Sequence, residues 1–491
     1  MIKLKKKSYF LVIFSIFSIN MSIKLYLSVT NSLWQDDSWV ALGIFADKFS
    51  DFQLSSGHHP GFSLIYKILN YLFGFNELIF QLPSLVFSSI SVCLYFLIIK
   101  KLDVSNYFSF FGIILITLSP TLLLISTRVK PYAFEAFIGT LYLLFVVNKT
   151  FHEYKKTIFL ISVISLLFSF YTIYVIAGYY FIKLFIEKDK SEHILIVLIS
   201  IFSIIWFIFY IRFLPLLNSS SIHPHVYYDW TLLEIIKGIF DGFITFSKAS
   251  LPAFYLLKWT NLNFEFLGYN FSFYIYLIFW ILFFLIYFKN FQKYKKISVY
   301  FLFPLILTII LTLFKYAVWG EGTAEEYRML SSLIPSFLVL TVKYLEIIFN
   351  KFTFLKNYKN IFILMLSTIC IIYFANFKNY FIYPVQNYRT AIEFIQKENL
   401  NYIIRASDGT SPGAALYLGE KIDFGPGLNF SSKTIKSEVI NLLDVDFSKI
   451  DVIYSLYIEN ERDFTNLGYQ NTNIVHPDFG NLFLGKWEKV K

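Results

Sequence analysis

The chain has 491 residues, of which 56% are hydrophobic and 21% aromatic against only 15% charged, and its mean hydropathy is +0.58. Apolar content on that scale excludes a water-soluble core and puts the protein in a bilayer. The formal net charge of +10 does not argue for nucleic acid, because the lysines cluster in short segments between apolar runs, where they report topology.

In chain order, Lys3, Lys5, Lys6 and Lys7 precede the first apolar stretch. That pattern is shared with signal peptides, but no small-residue cleavage site follows, so the stretch reads as a first membrane helix. A span needs about 20 apolar residues. Candidate spans run near 8–28, 78–99, 107–127, 131–148, 157–170, 171–186, 194–214, 269–288, 297–315, 329–348 and 361–377, eleven in all. The segment 157–186 reads either as two short helices or as one very tilted one. Lysines on both its flanks, Lys155, Lys156, Lys188 and Lys190, require an even number of crossings there.

The same rule puts Lys100 and Lys101, 289–296 and 351–359 in the cytoplasm. The external pieces are then a long first loop (29–77), a turn around Arg128, a loop at 215–268, a loop at 316–328, and the C-terminus. Within the first loop, Trp39, Leu42, Ala46 and Phe49 recur at helical spacing, and a second such stretch runs from Phe62 to Phe73; both suit helices lying along the membrane surface. From about 378 the composition turns polar. A helix is expected over 387–398, with β-rich runs at Tyr402–Ile404 and Val452–Tyr454, making residues 378–491 a small extracytoplasmic α/β domain after a membrane domain of residues 1–377. Cys93 and Cys370 each fall inside a span, as apolar filler.

Several polar groups sit where a hydrophilic head and a lipid tail would meet. Asp36 and Asp37 follow the first span directly; beside the plain reading of a solvated acidic loop, two adjacent acids can divide labour, one as general base and one orienting a hydroxyl or a cation. His58 and His59, before Pro60, mark a helix-initiating turn or a sugar- or metal-binding position. His223, His225 and Asp229 in the 215–268 loop lack the regular ligand spacing of a metal site. Arg128 and Lys130, followed by Tyr132 and Glu135, lie at an external helix end. Snorkelling accounts for such cations, but a pair against the positive-inside bias also asks for an anion, phosphate above all. Tyr327 and Arg328 form a similar external helix start with Glu321, Glu325 and Glu326 close in sequence, readable as an internal Arg–Glu pair or as a second phosphate contact.

The run Trp34-Gln35-Asp36-Asp37-Ser38-Trp39, then Gly57-His58-His59-Pro60-Gly61, Leu72-Phe73-Gly74 and Leu82-Pro83-Ser84, resembles the first loop and second span of type-C membrane glycosyltransferases, in the branch of protein O-mannosyltransferases and the lipid A aminoarabinose transferase. Ser119-Pro120, Ser126, Arg128 and Pro131-Tyr132-Ala133 look like that family's junction of the third and fourth spans, and Tyr327-Arg328 like its late Arg-Tyr helix start in inverted order. The likeness covers about 350 residues in motif order and is most specific in the first 135. Two departures stand out: the family's Asp-Glu pair is Asp-Asp here, and its second Pro after His-Pro is Gly61.

The resemblance implies an all-α polytopic bundle of about eleven transmembrane helices with a small C-terminal α/β domain. It implies an inverting transfer from a polyprenyl-phosphate sugar donor to a hydroxyl of a lipid, glycan or protein acceptor at the outer face of a cell membrane, a bacterial inner membrane by preference. Membrane lipids are further partners and nucleic acid is not. Asp36 is the expected base, with Asp37 beside it. His58, His59, Arg128, Lys130, Tyr132, Tyr327 and Arg328 are expected to bind substrate. No cofactor is required, although a divalent cation is compatible with the acids. The competing readings are a transporter or lipid flippase, which requires ionisable groups at membrane depth and repeat symmetry, and a non-catalytic scaffold. The sequence places its strong charges at the outer rim instead.

Overall fold

A computed structural model of the chain describes residues 6–30, 33, 37, 40, 41, 44, 60–212, 232–252, 265–266, 269–313, 330–382, 387–398, 400, 403–405, 450–457, 464–472 and 482–490. The helices, in order, are α1 (Lys6–Thr30), α2 (Pro60–Phe73), α3 (Glu77–Lys101), α4 (Asn106–Thr117), α5 (Pro120–Ser126), α6 (Tyr132–Val147), α7 (Lys155–Phe168), α8 (Ile173–Phe181), α9 (His193–Arg212) and α10 (Leu232–Ser250). They continue as α11 (Phe271–Asn290), α12 (Lys295–Leu313), α13 (Ile334–Lys351), α14 (Thr353–Ile382) and α15 (Tyr388–Lys397). The expected spans thus return as helices, and the outward faces of several, such as Phe10, Phe14 and Ile19 on α1 and Leu364 and Met365 on α14, are exposed and apolar. Exposed Leu, Ile and Phe over whole helix faces suit lipid as the solvent, and the protein is a multi-pass membrane protein.

Two compact units emerge: residues 1–24, 84–127 and 131–377 form the first, and residues 25–83, 128–130 and 378–491 the second. In the first unit, α6 is buried along nearly its whole length and packs on α8, α12 and α13. Gly139 makes this closeness possible, because a Cβ there would collide with the backbone carbonyl of Ser332, and its own carbonyl accepts a hydrogen bond from Tyr300 Oη at 2.8 Å. An aromatic layer of Trp280, Phe283, Phe301 and Phe337 ties α11, α12 and α13 together through ring pairs 5.4–6.1 Å apart.

The 157–186 segment is two helices. The chain turns extended at Ser169 (φ −156°, ψ 123°), where Thr172 Oγ1 donates to the Ser169 carbonyl at 2.7 Å, and α8 then ends in a π-turn over Ile182–Ile186. The 107–127 span is broken as well: α4 stops at Thr117, Pro120 starts α5, and the two are bent by 53°.

The 215–268 segment departs from the expected external loop. Its helix α10 runs antiparallel along α11, with Lys248 Nζ 5.2 Å from the Tyr276 ring, Phe243 4.7 Å from Trp280 and 5.8 Å from Phe284, and an apolar groove of about 330 Å³ between them that reaches Phe288. This helix therefore packs along α11 instead of forming an irregular loop. The sequence reads this stretch as loop because four charged residues in nineteen lower its hydropathy below that of a span.

At the lysine-rich end, Lys183 and Lys296 both pair with Glu187, the former at 2.8 Å, and Lys155 meets Asp189 at 2.8 Å. The hydrogen bond from Lys155, with that from Ser191, pulls the Asp189 carboxyl down to about 2.

In the second unit, α15 packs on a four-stranded sheet formed by β3 (Ile403–Arg405), β4 (Val452–Tyr457), β5 (Tyr469–Asn471) and β6 (Phe483–Lys489), in the order β3-β4-β6-β5; a two-stranded ribbon, β1 (Glu265–Phe266) with β2 (Tyr269–Asn270), lies in the first unit. β3 is parallel to β4 and the other pairs are antiparallel. Alternation sorts β4 between two cores: Leu456 joins Tyr388, Ala391, Ile392 and Ile395 of α15, whereas Ile453 joins Phe464, Tyr469 and Trp487 on the other face. The same unit holds α2, whose Phe62 meets Tyr66 edge-on at a centroid distance of 5.3 Å, and Tyr66 in turn meets Phe80 at 5.5 Å. Glu77 pairs with Arg389, and Ser28 Oγ donates to Gln81 Oε1.

Candidate functional site

Arg128 occupies a three-residue turn. Helix α5 ends where Ser126 Oγ donates to the Leu123 carbonyl at 2.6 Å and Thr127 Oγ1 to the Leu124 carbonyl at 3.2 Å. Pro131, which lacks an N–H and has φ −72°, starts α6. The turn Arg128–Lys130 belongs to the second unit, as does Asp37.

Asp37 and Arg128 meet there as a buried pair, 1% and 4% exposed. Arg128 Nε lies 2.8 Å from Oδ2 and 3.0 Å from Oδ1, and the backbone N–H of Val129 donates to Oδ1 at 3.1 Å. One carboxylate thus takes donors from two successive residues of the turn and fixes its shape. Asp37 shares this burial with Leu33, Val40, Ala41 and Ile44, the other described residues of its stretch. Among the described residues from 33 to 44, Asp37 is the one ionisable group. Breaking such a buried pair by removing one partner costs about 3–5 kcal/mol, because the other charge is left without compensation.

The remaining expected residues are placed as follows. Lys130, half-buried, is in the same turn. Tyr132 is buried at the start of α6 in the first unit, and its carbonyl accepts from Ser331 Oγ at 2.9 Å. Asp36, His58, His59, Tyr327 and Arg328 lie outside the described residues. So do His223, His225 and Asp229. Among the described residues no three His, Cys, Asp or Glu side chains converge as metal ligands.

The sequence places Glu135 at an external helix end and gives Lys24 no role, yet both are buried in the first unit. Glu135, fully buried on the first turn of α6, accepts from Ser169 Oγ at 2.6 Å and lies 3.4 Å from Ser331 Oγ. It joins α6 to the α7–α8 break and to the segment before α13. Lys24, 1% exposed, sits within α1. Its signal was a single lysine inside an apolar run, which averaging over a window hides.

No protein-family model matches the sequence, and no curated protein matches it either. Solved structures do. The chain is similar to ArnT from Cupriavidus metallidurans in the apo state at a TM-score of 0.54, with 9% sequence identity over 96% of this chain and 97% of that one. It is similar also to ArnT from the same organism bound to undecaprenyl phosphate, at a TM-score of 0.52 and 9% identity over 98% of each chain. The likeness extends end to end. At this identity it shows a shared fold: a polytopic helical bundle with a C-terminal domain.

Proposed function

We propose that the protein is an inverting membrane glycosyltransferase that takes a sugar from a polyprenyl-phosphate carrier and transfers it to an acceptor hydroxyl at the extracytoplasmic face of the cell membrane. The observation that carries this reading is the end-to-end fold likeness to ArnT, including the structure bound to undecaprenyl phosphate. The order of the Trp34–Trp39, His58–Gly61 and Arg128–Ala133 motifs supports it independently.

In the mechanism, Asp36 accepts the proton of the acceptor hydroxyl as its oxygen attacks the anomeric carbon from the face opposite the phosphate. The bond between anomeric carbon and phosphate oxygen breaks, the electron pair leaves with the polyprenyl phosphate, and the configuration inverts. Lys130 and Arg328 offset the charge gathering on that leaving group. Arg128 contributes positive charge from its turn while Asp37 holds the turn in shape, which divides the acid pair into a base and a positioning residue. His58, His59, Tyr132 and Tyr327 complete the binding of sugar and acceptor. Residues 378–491 form the extracytoplasmic domain of this enzyme, beside a membrane domain of residues 1–377.

The test is transfer by the purified full chain, in lipid nanodiscs, from a panel of radiolabelled polyprenyl-phosphate sugars. The proposal expects at least one donor to yield free polyprenyl phosphate and a labelled acceptor of inverted configuration. Turnover of a nucleotide sugar alone, with no lipid-linked donor consumed, would overturn it.

A further inference from the structure

Three observations coincide in the first unit. Asn20 of α1 donates from Nδ2 to Thr117 Oγ1 of α4 at 3.0 Å and accepts from Ser89 Oγ of α3 at 3.3 Å, so a polar layer joins the three helices. At the same level the third span is broken: α4 ends at Thr117, Ser119 is extended (ψ 125°) and fully buried, and α5 leaves at 53°. Irregular backbone at membrane depth is tolerated where it is covered by protein or lines a polar cavity, and helix breaks of this kind recur at ligand sites of membrane proteins.

The third observation is Lys24. It lies one turn beyond Asn20 on the same face of α1, is 1% exposed, and among the described residues meets no carboxylate and no hydrogen-bond acceptor. A lysine six residues short of a helix end would ordinarily snorkel outward. Here the end is Thr30, about 9 Å away at the rise of a helix. Helix side chains lean toward the N-terminus, so that of Lys24 starts toward the Asn20 layer instead of toward the end. Adjacent residues Leu25 and Tyr26 are the exposed ones, at 37% and 53%. An ammonium held in protein at this depth is costly unless an anion joins it.

We infer that Lys24, with the hydroxyls of Ser89, Thr117 and Ser119, forms a phosphate site inside the bundle that takes the phosphoryl head of the polyprenyl carrier. This rests on the glycosyltransferase reading and deepens it, since it names a cation inside the first unit for the carrier's phosphoryl group. Phosphate suits the set because one oxygen accepts from the ammonium and another from Thr117 Oγ1, which accepts from Asn20 and keeps its own proton to donate. The Ser89 and Ser119 hydroxyls, held by long bonds to Asn20 Oδ1 (3.3 Å) and the Ala249 carbonyl (3.4 Å), re-aim on binding.

The experiment is equilibrium binding of undecaprenyl phosphate to the full-length protein in nanodiscs of zwitterionic lipid, with phosphatidylglycerol and inorganic phosphate as competitors. Lys24→Met should weaken binding about tenfold or more, the scale of a hydrogen bond to a charged group. Its melting temperature should hold or rise, because an apolar side chain of similar length removes the cost of the buried charge. Thr117→Val, which keeps shape and drops a hydroxyl, should weaken binding by a few fold, and it decides the matter should Lys24→Met fail to fold. Undecaprenyl phosphate bound by both variants with wild-type affinity would overturn the inference, as would equal competition by phosphatidylglycerol or by inorganic phosphate. Wild-type protein that binds no undecaprenyl phosphate would instead remove the glycosyltransferase reading on which the inference stands.

Discussion

Asp37 and Arg128, 91 residues apart in the chain, form a buried ion pair in which the carboxylate also accepts the backbone N–H of Val129. The pair joins the first acid-bearing segment to the turn that follows α5. Asp37→Ala or Arg128→Ala should each destabilise the protein by about 3–5 kcal/mol, whereas the double variant should cost clearly less than their sum. Arg128→Lys should recover part of the loss, since an ammonium reaches the carboxylate but not in the geometry of the guanidinium edge. Thermal melting of the four proteins in nanodiscs measures the coupling; strict additivity would mean that the pair carries no energy.

Glu135 gives a second contrast. Because it is fully buried and tied to Ser169 and Ser331, Glu135→Gln should stay within about 1 kcal/mol of the wild type by keeping an acceptor of the same shape. Glu135→Ala should lose roughly 2–4 kcal/mol, through the cavity and the orphaned hydroxyls. Equal melting temperatures for Ala and Gln would remove the structural role.

The pH response of the lysine-rich end has a definite sign. Asp189 titrates near 2 in the folded protein, below its ordinary 3.8, because Lys155 and Ser191 hydrogen-bond its carboxylate. Its contribution is therefore present above about pH 4 and lost as pH falls toward 2. With both side chains about a quarter exposed, the stabilisation is on the order of 1 kcal/mol or less. Lys155→Met should lower the melting temperature slightly at pH 6 and by less at pH 2, where about half of the Asp189 carboxyl is protonated. A loss that grows on acidification would contradict the pairing.

The proposed topology, read from the lysine distribution and eleven crossings, has the C-terminus outside. An alkaline phosphatase fused after Lys491 should be active, and a fluorescent protein that matures only in the cytoplasm should stay dark. Bright cells would reverse the topology.

Much of this architecture is legible in the sequence because membrane spans are set by hydropathy and length alone: α3 runs over Glu77–Lys101 where 78–99 is expected. The small α/β domain is legible for a similar reason, with α15 at Tyr388–Lys397 inside the expected 387–398. The breaks are less so. Pro120 marks the one after α4, but Ser169 is neither Gly nor Pro, and its extended backbone goes with a bond to Glu135, 34 residues earlier. Helix α10 is hidden by its charges. For the candidate site, the sequence picks out Asp37 and Arg128 separately, by motif and by topology. Their partnership depends on tertiary folding that no spacing encodes, so Arg128 reads from sequence as a phosphate ligand before it reads as a partner of Asp37.

The claim on which the account turns is that Asp36 is the general base and Asp37 its positioning neighbour. An amide of the same shape keeps the geometry and cannot take a proton, so Asp36→Asn should lower single-turnover sugar transfer by a factor of the order of 100 or more while donor binding stays within a few fold. The measurement is single-turnover transfer and donor binding for Asp36→Asn and Asp37→Asn in nanodiscs, with folding checked by melting. The account predicts a folded, donor-binding, inactive Asp36→Asn and a less stable Asp37→Asn that still transfers sugar; an Asp36→Asn protein that transfers sugar at the wild-type rate would contradict it.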